Sequence, residues 1–136
     1  MNNTLTPITE RTFDFAVRIV KLCQALSKKS ASSRPLFSQL IRSGTSVGAN
    51  VEEAQAAQSK ADFVHKMEIA LKELRETRYW LRLLVATGEV TEEQLGALIG
   101  ESEELVRIVS KIVVSTKRNQ ERERGEFKVQ SSKFKS

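Results

Sequence analysis

The sequence predicts an all-α protein: an antiparallel, up-down-up-down four-helix bundle carrying a flexible basic C-terminal tail. Three observations support this. Ala, Leu, Glu, Lys and Arg are abundant, while aromatics make up 6% and prolines number 2. Apolar residues recur at spacings of three and four over long stretches. Proline, glycine and serine-rich punctuation falls between those stretches. At 136 residues the chain is expected to be one domain, long enough to bury a continuous core.

Helix one is expected over about residues 9–29. Thr9 reads as its N-cap, and Glu10 in the first turn complements the macrodipole. Phe13, Ala16, Ile19, Val20 and Cys23 then form a broad apolar stripe. The segment SASSR is a connector, and Pro35 suits the first turn of helix two, over 35–57, where its missing N–H costs nothing. The buried face of that helix reads Leu36, Phe37, Leu40, Ile41, Val47, Val51 and Ala54. Gly44 and Gly48 interrupt it at a helix cost of roughly 1 kcal/mol each. Either the helix bends there, or small residues admit another backbone; close packing is the preferred reading.

Helix three, over 60–87, is capped by Ser59 and ended by Gly88 in a left-handed conformation. Phe63, Met67, Ala70, Leu74, Leu81 and Val85 form one stripe; Ile69, Trp80 and Leu83 lie more than about 100° from its centre. A surface helix of a monomer needs only one stripe, so the second patch points to a partner chain. Packing of the same residues against helix one is the monomeric alternative. Thr91 and Gln94 make a capping box for helix four, over 92–118, with Leu95, Leu98, Ile99, Leu105, Val109 and Ile112 on its apolar side. The short connections between helices two, three and four require antiparallel neighbours. After Lys117 the register fades, and residues 119–136 read as frayed helix and flexible tail.

The formal charge of +5 is unevenly placed. Residues 117–136 hold seven Lys/Arg and three Glu, a net of +4, while the rest of the chain carries +1. Such a tail acts as an electrostatic arm or simply aids solubility. No stretch approaches the roughly 18 apolar residues of a membrane span. The start lacks a basic region followed by an apolar one, so no secretion signal and a cytoplasmic location are expected. The single cysteine, Cys23, cannot close an internal disulfide.

Motifs for catalysis are missing. One histidine, His65, and one cysteine make no zinc spacing, and no glycine-rich phosphate loop is present. Glu52 and Glu53 are adjacent, so they diverge on a helix and form no natural acid/base pair. No cofactor and no enzymatic activity are expected. Two features suit binding. Arg75, Arg78 and Arg82 form a like-charged ridge that needs negative partners. These are either Glu68, Glu52 and Glu53 of the same chain, or a phosphate or acidic partner. In the tail, Lys117, Arg118, Arg122, Arg124, Lys128, Lys133 and Lys135 surround Phe127, Val129 and Phe134, a mixture that can hold single-stranded nucleic acid.

The run from Phe37 to Leu84 resembles the bacterial four-helix-bundle proteins encoded in intervening sequences of 23S ribosomal RNA genes. The matching features are small residues before Asn50, Asn50 with Glu53, the cap at Ser59, Phe63, and Glu73-Leu74 with Thr77. Many members carry proline near the position of Gly48 and glycine near that of Ala54, where this chain departs. The resemblance implies structural roles for Gly44, Gly48, Asn50, Glu53 and Glu73. It also implies a homopentameric ring, similar to the accessory protein of diversity-generating retroelements, which works with a reverse transcriptase and nucleic acid. In such a ring Ile69, Trp80 and Leu83 would face a sister subunit, and five tails would pool their charge. The expected function is a non-catalytic oligomeric module binding RNA or a ribonucleoprotein; a protein–protein adaptor ring is the alternative.

Overall fold

Four amphipathic segments become four helices. In the computed structural model, which describes residues 6–135 and side chains through Lys133, these are α1 (Ile8–Ser27), α2 (Arg34–Gln55), α3 (Lys60–Ala86) and α4 (Glu92–Lys135). Among the described residues there is no strand. Ser59 is extended and accepts from the Asp62 amide at 3.0 Å, starting α3. Gly88, at φ 80°, lets the chain leave α3. The Gln94 amide donates to Thr91 Oγ1 at 3.2 Å and the Thr91 amide to Gln94 Oε1 at 3.0 Å, the reciprocal box that opens α4. The start of α1 differs from expectation: Pro7 occupies the cap without a side-chain bond, and Thr9 lies inside the helix.

Contacts between helices give the topology. Gly44 and Gly48 of α2 face Ile19 and Thr12 of α1, Ser43 faces Thr77 of α3, and Glu68 of α3 faces Lys117 of α4. Residue numbers run in opposite senses across each pair, so the bundle is up-down-up-down. The α1–α4 seam closes it. The core comprises Phe15, Ile19, Cys23, Phe37, Leu40, Val47, Val51, Met67, Ala70, Leu74, Leu81, Leu84, Leu95, Leu105 and Val109, with satellites at its edges.

α2 is one continuous helix, and its glycines are contact points. A β-carbon on Gly44 would lie 2.8 Å from Ile19 Cγ2, and one on Gly48 would lie 3.3 Å from the Thr12 carbonyl oxygen. The missing side chains let α1 and α2 approach, which offsets their weak helix propensity.

Three further expectations fail. The apolar stripe of α1 is rotated: Phe15, Ile19, Cys23 and Leu26 are buried, whereas Phe13 is 64% exposed. Ile41, expected on the buried face of α2, is exposed. The tail expected at 119–136 instead continues α4 as helix to Lys135. No proline interrupts it, and Glu121, Glu123 and Glu126 alternate with Arg118, Arg122 and Arg124 at helical spacings that favour the helix. Gly125 costs only about 1 kcal/mol there. Lys60, the first residue of α3, pairs with Glu123, so α4 projects past the bundle from about residue 124.

Candidate nucleic-acid interface

The arginine ridge of α3 lies along its seam with α4. Arg75, Arg78, Arg107, Glu103 and Val106 line a cleft of about 440 Å³ between the two helices. Arg78 Nε donates to Glu103 Oε1 at 3.2 Å. Among the described residues Arg75, Arg82 and Arg107 make no ion pair within 4.0 Å, leaving the cleft cationic around a single carboxylate.

The partners expected for the ridge are engaged elsewhere. Glu68 pairs with Lys117 at 3.2 Å and Glu53 with Lys66 at 2.9 Å. Glu52 sits on the α1 side of α2, near Phe13. The counterion is Glu103, from a helix whose register with α3 the sequence does not supply. Arg107 was missed as a site residue, and its i+4 spacing from Glu103 is the local signal for it. Arg118, Arg122, Arg124, Lys128 and Lys133 are exposed along α4; Lys135 belongs to the helix, but its side chain and that of Phe134 lie outside the described set.

The opposite flank of α3 faces α2. Arg42 donates to Glu73 at 3.2 Å and pairs closely with Glu76. The Arg42 guanidinium lowers the Glu76 carboxyl below its ordinary range. Trp80 Nε1 makes a long 3.4 Å bond to the same carboxylate, and its ring meets Tyr79 edge-on at 5.1 Å. Trp80 packs against the edge of the core, and Ile69 and Leu83 are half-buried. Asn50 Nδ2 donates to the Ser46 carbonyl at 2.8 Å, a bond within α2 rather than to Glu53.

Sequence reasoning missed two polar contacts inside the bundle. Arg11 is buried and donates to Glu101 at 2.6 Å and Glu104 at 3.2 Å. Thr77 Oγ1 donates to Ser43 Oγ at 2.9 Å in the α2–α3 interior. Cys23 is buried and its thiol donates to the Phe37 carbonyl at 3.7 Å; burial pushes its pKa up to about 11. Among the described residues, no three His, Cys, Asp or Glu converge as a metal site, and no helix is long and apolar enough to cross a membrane.

These elements define an all-α four-helix bundle with one cationic seam and a basic helical projection. The chain belongs to the 23S rRNA-intervening sequence protein family, whose model matches residues 6–111. A crystal structure from Bacteroides thetaiotaomicron, of a protein assigned to the S23 ribosomal protein family, is 42% identical with a TM-score of 0.76. The match covers 79% of this chain and 98% of that one. No curated protein matches this chain. The family match ends well before α4 does, so the projecting part of that helix lies outside it.

Proposed function

We propose that this chain is a non-catalytic, self-assembling helical module that binds RNA or a ribonucleoprotein through the α3–α4 seam and the projecting part of α4. The observation that carries the reading is the cleft in which Arg75, Arg78 and Arg107 surround one carboxylate, Glu103. Guanidinium groups on an open helix face suit phosphate oxygens, because their fork of donors matches the anion's geometry. The family name adds support, since it ties members to the 23S rRNA gene. Assembly into a ring, a pentamer by resemblance, would repeat the seam and raise weak affinities through multivalency.

Binding of this kind is electrostatic and weakens steeply with salt. The test titrates labelled RNA at two salt concentrations against the full chain, a chain ending at residue 116, and the double variant Arg75→Glu/Arg107→Glu. The reading expects weaker binding and a shallower salt slope in both variants. Binding equal in all three proteins would remove both surfaces from the account. Capture of the same protein partners before and after nuclease treatment would favour the adaptor alternative.

A further inference from the structure

Two helix faces in this chain carry the same pattern with opposite charge. On α1, Glu10, Phe13 and Asp14 stand at i, i+3 and i+4, and with Glu52 of α2 and Thr9 they line an open cleft. On the projecting part of α4, Arg124, Phe127 and Lys128 stand at the same spacing and, with Gln120 and Glu123, line another. At i, i+3 and i+4 the three residues of each set share one helix face. Both aromatics are exposed, Phe13 by 64% and Phe127 by 72%, where a helical phenylalanine ordinarily finds cover. Glu123 is already paired with Lys60 and Glu126 falls on the far side of the helix; Glu121, three residues before Arg124, borders the face, which keeps a net positive charge from Arg124 and Lys128. Arg18 and Lys21 come a turn or more beyond Asp14, so the α1 face is anionic at Phe13.

We infer that the α4 projection of one copy docks on the Glu10–Phe13–Asp14 face of a second copy. Phe127 meets Phe13, Arg124 and Lys128 meet the carboxylates of Glu10, Asp14 and Glu52, and the apolar contact loses its exposure to water. A second copy is the occupant because the chain's own projection cannot reach. α4 packs on α3 and α1 and, among the described residues, makes no contact with α2, while the acidic cleft opens between α1 and α2. Self-docking would require α4 to break. The contact is heterologous, since each copy gives one surface and receives the other, so it propagates until rotation closes a ring. The inference rests on the self-assembly proposed above, but not on RNA binding.

Sedimentation of the full chain across a concentration series tests it. Four variants are compared: Phe127→Ala, the acidic-face reversal Glu10→Lys/Asp14→Lys/Glu52→Lys, the arm reversal Arg124→Glu/Lys128→Glu, and the two reversals combined. All of these positions are exposed, and circular dichroism checks that helicity is kept. The first three are expected to raise the concentration needed for assembly by about tenfold or more. The combined reversal restores the attraction and is expected to recover most of the loss. A combined variant no better than its parents overturns the inference, as does assembly unchanged by either reversal. A wild-type chain that stays monomeric overturns self-assembly with it, whereas assembly that survives both reversals removes only this contact.

Discussion

Arg11 Nη2 of α1 lies 2.6 Å from Glu101 Oε1 of α4, with the arginine side chain only 5% exposed. Glu104 accepts from the same guanidinium, whose pKa is raised mainly by its bond to Glu101. α1 and α4 share the thinnest seam of the bundle, so this fork pins an otherwise lightly held edge. Arg11→Ala leaves the partly buried Glu101 without its counterion and opens a gap in packing. A loss of about 2–4 kcal/mol is expected in urea denaturation. Arg11→Lys keeps the charge but not the two-pronged geometry, and falls between the two.

Glycine positions separate packing from propensity. Gly44→Ala places a methyl 2.8 Å from Ile19 Cγ2, and the β-branched neighbour is fully buried, so either the Ile19 side chain or the spacing of the two helices must shift. A loss of about 1–3 kcal/mol is expected despite alanine's better propensity. Gly100 is also helical, and an added β-carbon there meets nothing within 4 Å. Gly100→Ala should therefore gain about 0.5–1 kcal/mol. Thermal melts of the two variants should move in opposite directions.

Glu76 gives a pH signature. Its carboxyl is held below the ordinary range, first by the bond from Arg42, so the folded state binds fewer protons than the unfolded state near that range. The resulting stability is present above the unfolded value and is lost as pH falls through the folded one, below about pH 4.3. Both partners are partly solvated, so the contribution is under about 1 kcal/mol. Glu76→Gln should flatten this part of the acid limb of the stability–pH curve without altering stability at neutral pH by more than that amount.

Cys23 offers a direct readout of global opening. Its thiol is fully buried in the core and titrates far above neutrality, so thiolate is scarce and access is blocked. Labelling by a maleimide at neutral pH should track unfolding, and should be abolished at times when the bundle is closed. Rapid labelling of the folded chain in the absence of denaturant would show that α1 detaches locally.

Most of the fold was legible because caps, punctuation and periodicity agree. Ser59, Thr91 with Gln94, and Gly88 act in the structure as their chemistry suggests. The α1 phase was not legible, since Phe13 and Phe15 propose competing stripes and Arg11, one turn before Phe15, looks like a reason to reject the correct one. That arginine is buried because Glu101 waits 90 residues away, a pairing no local window contains. The helical tail was misjudged for a related reason. Loss of apolar register marks the end of core contact, not the end of the helix, which local charge spacing can sustain. In the candidate interface, the ridge of Arg75, Arg78 and Arg82 was visible, but Glu103 and Arg107 enter it only through the α3–α4 register.

Ile69→Glu is the sharper probe of the second flank of α3. Trp80 packs on the core edge and shares Glu76 with Arg42, so Trp80→Glu would disturb the single chain as well as any partner. Ile69 is half-buried and stands about three turns before Trp80 on the same side of the helix. If a sister subunit covers this flank, a carboxylate at position 69 must lose much of its water on assembly, which weakens association by roughly tenfold or more. Light scattering should then report smaller particles while circular dichroism stays helical. Particles of wild-type mass would place the flank on the outside of the assembly, leaving the cationic projection of α4 and the acidic face around Phe13 as the contact between copies.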